Sequence, residues 1–374
     1  MMLSYPLSPY IDALDRSVSI ALLASGGVDS AVACALLVRA GFRPKLFYIN
    51  IGMKDEGFTD CTREEDLEMV ALIARKYGLE YEEVDLNEAY WERVVSYTID
   101  SVKRGLTPNP DVMCNRFIKF GVFEERYGYA FDYIASGHYA STVVRNGKVY
   151  LGTAPDPVKD QTDFLAQINL KQISKILFPI GTLDKSQVRA IAEEENLPNA
   201  HRKDSQGICF LGKINYNDFL EKYLGKKKGD IIEFETGNKI GEHDGFWFHT
   251  IGQRKGLGLS GGPWFVVRKD CPANILYVSR GYDPETQYGY EIWCRDFHFI
   301  TENPFTAGCP NPLPVALKVR HTPEFFRATL AKEGDVYHIV SEQRIQGIAP
   351  GQFAVVYDPD CTICLGSGRI EEGR

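Results

Sequence analysis

Several things are missing from this chain of 374 residues. No apolar run reaches the about 20 residues that a bilayer span needs, and no basic stretch near residue 1 leads into a hydrophobic one. A transmembrane helix is thereby excluded, and a cytoplasmic enzyme with no membrane partner is the expectation. Polar low-complexity tracts and internal repeats are absent too, so neither a disordered tail nor a solenoid is expected. Positive charge is in deficit: 42 Lys and Arg against 50 Asp and Glu leave a net charge of −8. That balance argues against nonspecific coating of nucleic acid but leaves room for a local basic site. The nine cysteines are odd in number and scattered, unlike a secreted disulfide framework. In a reducing compartment they are free thiols unless catalysis uses them. The length asks for two or three domains.

The most informative segment is residues 18–30, Val-Ser-Ile-Ala-Leu-Leu-Ala-Ser-Gly-Gly-Val-Asp-Ser. A buried strand runs into a tight turn, and a helix over 31–40 follows and ends at Gly41. Gly26 and Gly27 let backbone approach an anion, and the helix N-terminus adds unpaired N–H groups and the positive end of its dipole. Ser25, Asp29 and Ser30 supply hydroxyls and a carboxylate able to order a pyrophosphate or its Mg²⁺. No Lys follows the glycines, so this is not the phosphate loop of kinases and GTPases. It resembles the pyrophosphate loop of enzymes that split ATP into AMP and pyrophosphate.

The first half alternates strand and helix patterns, which predicts an α/β, doubly wound parallel sheet. Residues 45–51, 81–86 and 133–136 read as further strands. Thr62 with Glu65 reads as a capping box for a helix that Gly78 stops. Ligands of such sheets sit outside the carboxyl ends of the strands, where the 25–30 loop and Gly137 fall. From about Lys213 glycines become frequent and short polar strands take over. After Arg280 the pattern is β-rich, with strands expected near 288–295, 316–320, 327–330, 336–340 and 352–357, suited to a small barrel or sandwich. Boundaries near 210 and 283 follow, giving domains 1–209, 210–282 and 283–374. Arg202, Lys203, Lys213, Lys222, Lys226, Lys227, Lys228, Arg254 and Lys255 concentrate positive charge around the first boundary, as a solvated face or an RNA contact.

Two cysteines have telling settings. Thr107-Pro108-Asn109-Pro110-Asp111-Val112-Met113-Cys114-Asn115 reads as a stiff loop before a helix from Arg116. Cys114 at a helix start would have a lowered thiol pKa, and Asp111 could exchange a proton with it; a buried structural cysteine fits the same residues. In Lys203-Asp204-Ser205-Gln206-Gly207-Ile208-Cys209-Phe210, the nearby Arg202 and Lys203 would favour a thiolate or persulfide anion at Cys209. Cys361 and Cys364 lack the partners of a zinc site, and Cys364 is expected to pack inside the barrel.

Taken in order, Ser-Gly-Gly-Val-Asp-Ser, Thr-Pro-Asn-Pro-Asp-Val-Met-Cys-Asn and Asp-Ser-Gln-Gly-Ile-Cys-Phe resemble the bacterial tRNA-specific 2-thiouridylases, PP-loop ATP pyrophosphatases that replace O2 of the wobble uridine by sulfur. Ser136-Gly137-His138-Tyr139, Lys159-Asp160-Gln161, residues 249–258, Pro350-Gly351-Gln352 and Cys364-Leu365-Gly366 extend the resemblance over nearly the whole chain. It implies a nucleotide-binding α/β domain, a central tRNA-contacting domain and a C-terminal β-barrel. It also implies that Leu23, Ala24, Ser25, Gly26, Gly27, Val28, Asp29 and Ser30 hold ATP with Mg²⁺, while Ile49 and Gly137 contact the nucleoside. Asn109, Pro110 and Asp111 would touch a target base flipped from the anticodon arm. Cys209 would carry the persulfide with Cys114 as its partner, and no metal-ligating residue is expected. Lys159, Asp160, Gln161, Arg320 and His321 would touch tRNA, and a cysteine desulfurase or relay protein would supply sulfur. Whether sulfur is delivered as the persulfide or as released hydrosulfide stays open. An amide-forming ligase of the same loop class would explain the loop but not the paired cysteines; a noncatalytic RNA-binding protein would explain neither. The chain departs from the family pattern at Ala24, Ile49, Asp163 and His321, where a larger apolar residue, Met, an aromatic residue and Tyr are expected. The carboxylate of Asp163 is expected to weaken phosphate binding slightly.

Overall fold

The computed structural model describes residues 7–52, 63–203, 216–280, 288–306 and 308–374. Thr62, Cys209 and Lys213, singled out above, lie outside the described residues, so the capping-box reading is left there.

In chain order the first seven strands are β1 (Ile20–Leu23), β2 (Lys45–Asn50), β3 (Tyr81–Asp85), β4 (Tyr133–Ser136), β5 (Ser141–Arg145), β6 (Lys148–Gly152) and β7 (Ile176–Leu177). Five of them form an all-parallel sheet in the order β3-β2-β1-β4-β7. β1 is buried on both faces. Ala21 and Leu23 enter one apolar cluster, with Cys114, Ile118 and Phe120 from a helix on that side. Ile20 and Leu22 enter the other, with Val32, Leu36 and Leu37 from the helix Val28–Arg39. Two covered faces explain why this strand reads as an unbroken apolar run. The chain order reverses between β1 and β4, so their carboxyl ends open on a topological switch point.

Two helix boundaries differ from expectation. The helix after β1 starts at Val28, so Asp29 and Ser30 belong to its first turn rather than to the loop. The helix expected from Arg116 begins at Pro110, because Asn109 Oδ1 accepts the Val112 N–H at 3.2 Å and Pro110 fits the first helical position. Proline here opens a helix; it does not prolong a loop.

The central unit holds the helix Tyr216–Leu224 and strands β8 (Gly229–Glu233), β9 (Lys239–His243), β10 (Phe265–Asp270) and β11 (Ile275–Ser279). They form one sheet ordered β10-β11-β8-β9 around a small core that includes Ile231, Trp264, Val266 and Leu276.

The last strands are β12 (Tyr288–Phe299), β13 (Leu313–Lys318), β14 (Phe326–Glu333), β15 (Val336–Gln346), β16 (Phe353–Tyr357) and β17 (Ile363–Gly373). They pair in that spatial circuit, β12-β15-β14-β13-β16-β17, and a β12–β17 pairing closes a six-stranded barrel. β17 was not legible as a strand, since its glycines and charges carry little β-propensity. On β16, Ala354 and Val356 face the barrel interior, while Phe353, Val355 and Tyr357 pack outward on the first domain. Cys364 lies in that outer cluster, not inside the barrel; the cysteine in the interior is Cys294.

The barrel is joined to the first domain by backbone and by charge. The β5–β6 hairpin pairs with β17 at Gly152↔Ile363 and Leu151↔Cys364, extending the barrel sheet into the first domain. Beside this seam Lys318 is 1% exposed, its Nζ 3.7 Å from Asp160 Oδ1 and over the rings of Phe325 (4.1 Å) and Tyr357 (5.8 Å). Burial raises the Asp160 carboxyl, against hydrogen bonds from Thr162 and Ala154 and the pull of Lys318. Removing one member of such a pair strands the other charge. Lys318→Met should therefore cost about 3 kcal/mol, read by chemical denaturation, and Asp160→Asn in the same chain should recover part of it.

Candidate active site

The loop after β1 is held open by backbone geometry. Ala24 N–H donates to Phe47 O at 2.9 Å, tying the loop entrance to β2. Gly26 adopts φ +73°, and a Cβ there would stand 2.7 Å from Asp66 O, so only glycine fits. The Ser30 hydroxyl donates to Gly27 O at 3.0 Å and receives the Ser25 N–H at 3.3 Å, fixing the turn from inside. Gly27 caps the helix with no side chain, leaving first-turn amides for a ligand. From the far side, Asn199 Nδ2 and an Arg202 guanidinium N–H donate to Gly26 O at 2.9 and 3.2 Å. Arg202 also pairs with Asp66 at 2.5 Å, so this member of the basic cluster shapes the loop. Lys226 and Lys228 pair with Glu221 (2.9 Å) and Asp244 (2.8 Å), whereas Arg254 and Lys255 are exposed.

The exit of β4 meets this loop. A Cβ on Gly137 would lie 2.8 Å from Ser30 N, so the two chain segments touch backbone to backbone. Behind it His138 is half-buried, its Nδ1 2.9 Å from Ser136 Oγ, and desolvation followed by nearby Lys119 pushes the imidazole pKa well down. Tyr139 donates its hydroxyl to Asp29 Oδ1 at 2.9 Å, and Lys185 Nζ reaches the same oxygen at 2.7 Å. Tyr139 N–H donates to Gln161 Oε1 at 3.0 Å, and Gln161 N–H donates to Tyr139 O at 2.8 Å. A continuous polar chain thus runs from Asp29 through Tyr139 to the 159–161 loop.

That loop does not present all three residues to solvent. Asp160 is 1% exposed, its carboxylate accepting from Ala154 N–H and the Thr162 hydroxyl, and Gln161 is spent on Tyr139. Lys159 and Gln161 are both half-buried. Beyond them a cavity of about 530 Å³ opens where all three domains meet, lined by Asn109, Asp163, Gln253, Arg320, His321 and Gln352 among others. Its floor is tied to the barrel by Thr107 N–H donating to Pro350 O at 2.8 Å. The carboxylate of Asp163 is not bare. It is buried, and His321 Nδ1 lies 3.1 and 3.2 Å from its two oxygens, with the imidazole tilted against Phe164 at 4.6 Å between ring centres. Asp163 raises the His321 pKa, favouring the imidazolium. Two departures from the family pattern thus form one pair, which offsets the repulsion expected of Asp163 alone.

Cys114 is not a helix-start thiol. It sits past the first turn of the helix begun at Pro110, 1% exposed, and burial pushes its thiol up to about 11 with Lys119 opposing. The stretch Cys114–Val122 has π-type hydrogen bonding, and Gln172 Nε2 satisfies the Arg116 and Phe120 carbonyls at 3.0 and 2.7 Å. Asp111 is half-buried on the same helix, Ile49 lies in β2, and Leu23 and Val28 are buried beneath the loop. Sequence reasoning missed Lys185, Asn199 and the pairing role of Tyr139. The one local signal was Asp184 with Gln187, a capping box that starts the helix Lys185–Glu194.

Comparison with known proteins places residues 18–213 in the tRNA methyl transferase HUP domain, 217–280 in the tRNA methyl transferase PRC-barrel domain and 290–370 in the aminomethyltransferase beta-barrel domain. The chain is 64% identical over 361 residues to the tRNA-specific 2-thiouridylase MnmA of Porphyromonas gingivalis, covering 96% of this chain and 100% of that protein. It is 61% identical over 354 residues to the protein of that name from Parabacteroides distasonis, covering 94% and 99%. The chain belongs to the tRNA-specific 2-thiouridylase family. Among solved structures, a U34-tRNA thiolase, NcsA, of Methanococcus maripaludis is 20% identical with a TM-score of 0.35, over 57% of this chain and 69% of that one.

With its thiol raised to about 11, Cys114 in the free protein should alkylate at a rate that climbs about tenfold per pH unit from 7 to 9.5. Peptide mass spectrometry after iodoacetamide checks this, with exposed Cys309 as internal reference. A plateau below pH 9 would contradict the buried setting.

Proposed function

We propose that the protein is a cytoplasmic, ATP-dependent enzyme that thiolates C2 of the wobble uridine in the anticodon arm of tRNA, releasing AMP and pyrophosphate. The observation that carries this reading is the shared setting of loop and cysteine. Cys114 packs in the same apolar cluster as Leu23, the residue that leads into the intact anion loop. Family membership supports tRNA as the substrate, and the glycine cradle at Gly26 with the open amides after Gly27 supports ATP. A magnesium ion carried by the nucleotide suits the donor set, since Asp29 is a hard oxygen ligand beside the loop; it would neutralise phosphate charge.

The C2 carbonyl oxygen of uridine is a poor leaving group. In the proposed sequence O2 attacks the α-phosphorus, the bond to the β-phosphate oxygen breaks, and pyrophosphate departs with the electron pair while N3 loses its proton. Loop amides stabilise the phosphate charge. The terminal sulfur of a Cys209 persulfide, loaded by a cysteine desulfurase or relay protein, adds to C2, and AMP leaves. Cys114 then attacks Cys209 Sγ, freeing the thiouridine sulfur and forming a Cys114–Cys209 disulfide that an external reductant clears. Asn109, Pro110 and Asp111 would hold the flipped base, with Asp111 as the proton-exchanging group. Ile49 and Gly137 would flank the nucleoside, and Lys159, Arg320 and His321 would contact RNA around the cavity where the domains meet. Burial raises the Cys114 thiol to about 11, so little of it is thiolate near neutral pH, and in this reading RNA binding exposes it for attack.

Cys209→Ser and Cys114→Ser should each abolish 2-thiouridine in tRNA, read by nucleoside mass spectrometry from a complemented deletion strain, while tRNA affinity stays within about twofold. Asp29→Ala should stop tRNA-dependent AMP release. Wild-type thiolation in either cysteine variant would overturn the assignment.

A further inference from the structure

The loop carries no lysine of its own, yet a triphosphate bound beside Asp29 needs a cation facing it. Among the described residues, two basic side chains reach the loop. Arg202 is committed to the protein, one end on Gly26 O and the other on Asp66. Lys185 is held differently: its ammonium meets the Asp29 carboxylate at 2.7 Å and lies 5.8 Å from the centre of the Tyr139 ring, with the side chain 16% exposed.

Two features make this more than a salt bridge. Asp29 occupies the first turn of its helix, where the dipole already favours a negative charge without help from a lysine. Lys185, conversely, occupies the first position of the helix Lys185–Glu194, where the dipole disfavours a cation. The acids at this helix start serve the backbone: Lys185 N–H donates to Asp156 Oδ2 at 3.1 Å, and the Asp184–Gln187 capping box fixes the first turn. The fold thus pins this lysine at a helix start with its ammonium at the anion loop.

We infer that Lys185 is the nucleotide-contacting cation of this site, resting on Asp29 in the free enzyme and transferring its ammonium to the ATP phosphates when the loop fills. The inference rests on the ATP-dependent reading above and deepens it. As the bond from the α-phosphorus to the pyrophosphate oxygen breaks, both electrons stay on that oxygen. Lys185 stabilises them by hydrogen bonding while keeping its own proton, and Asp29 is released toward the cation that accompanies ATP.

The full-length protein is titrated with α,β-methylene-ATP and with adenosine. Lys185→Met should weaken the triphosphate by about 10- to 100-fold, the range of a charge-assisted hydrogen bond, and adenosine by less than about 3-fold, with Lys185→Arg in between. A purely structural lysine would lower both ligands alike, and the Asp29→Asn background would then erase its effect; either result overturns the inference. A second measurement needs no variant: α,β-methylene-ATP, but not adenosine, should shield the Lys185 amine of wild-type protein from acylation by an N-hydroxysuccinimide ester, read by peptide mass spectrometry. Equal acylation with both ligands overturns the inference even if Lys185→Met fails to fold. Wild-type protein that binds neither ligand would refute the ATP-dependent reading itself, a result distinct from loss confined to Lys185.

Discussion

The arrangement depends on one close approach, the backbone contact between the exit of β4 at Gly137 and the first turn of the helix Val28–Arg39. A side chain at Gly137 would fall 2.8 Å from Ser30 N. That contact brings Tyr139 within 2.9 Å of Asp29 and sets the direction in which the chain leaves the sheet. Tyr139 then anchors Gln161 through two backbone-assisted bonds, and the adjoining Asp160 is carried to Lys318 in the barrel. The anion loop and the barrel wall are therefore coupled through a short run of buried polar groups. Such networks are worth most when every member is satisfied, because the low dielectric that strengthens each bond also penalises each vacancy.

The cost of that coupling falls on buried charge. Asp160 and Lys318 are both almost without solvent, and their 3.7 Å separation is long for an ion pair. Aromatic faces complete the surroundings of the ammonium. Replacing the pair by apolar side chains would be tolerated energetically, since desolvation consumes most of the attraction. What the pair adds is registration: a charge on the first domain can find its opposite only if β13 and the 153–162 segment meet at one offset. The β6–β17 pairing enforces the same offset through backbone bonds.

Much of this was legible in the chain. β1, β2 and β4 announced themselves as short apolar runs ending at glycine or polar turns, and the glycines of the loop carried their reason with them. The failures are equally physical. Pro108 and Pro110 read as loop because proline stiffens either context, and only the Asn109 cap decides in favour of a helix start. Burial of Cys114 depends on residues from several distant elements, which no local pattern encodes. Cys364 and Cys294 alternate faces correctly for strands, but which face meets the first domain is set by the β5–β6 hairpin, and that hairpin was not recognised. Lys185 lies 156 positions from its partner Asp29, so spacing could not find it.

The site residues share a further property that bears on mechanism. Asp29 is occupied by Lys185 and Tyr139, Asp163 by His321, Gly26 O by Asn199 and Arg202, and the Cys114 thiol by apolar surroundings. These four groups of the proposed site are thus already engaged inside the protein. A ligand that binds must exchange partners rather than fill vacant positions, and each exchange removes one internal contact while forming an external one of similar kind. Net binding energy is then modest per contact, but the exchanges at Tyr139 and Gln161 are linked through shared backbone bonds. Under the proposed function, a ligand at the anion loop would act on the 159–161 segment through the Asp29–Tyr139–Gln161 bonds. For an enzyme that would activate its substrate with one ligand and recognise it with another surface, such linkage ties activation to recognition without a separate moving domain.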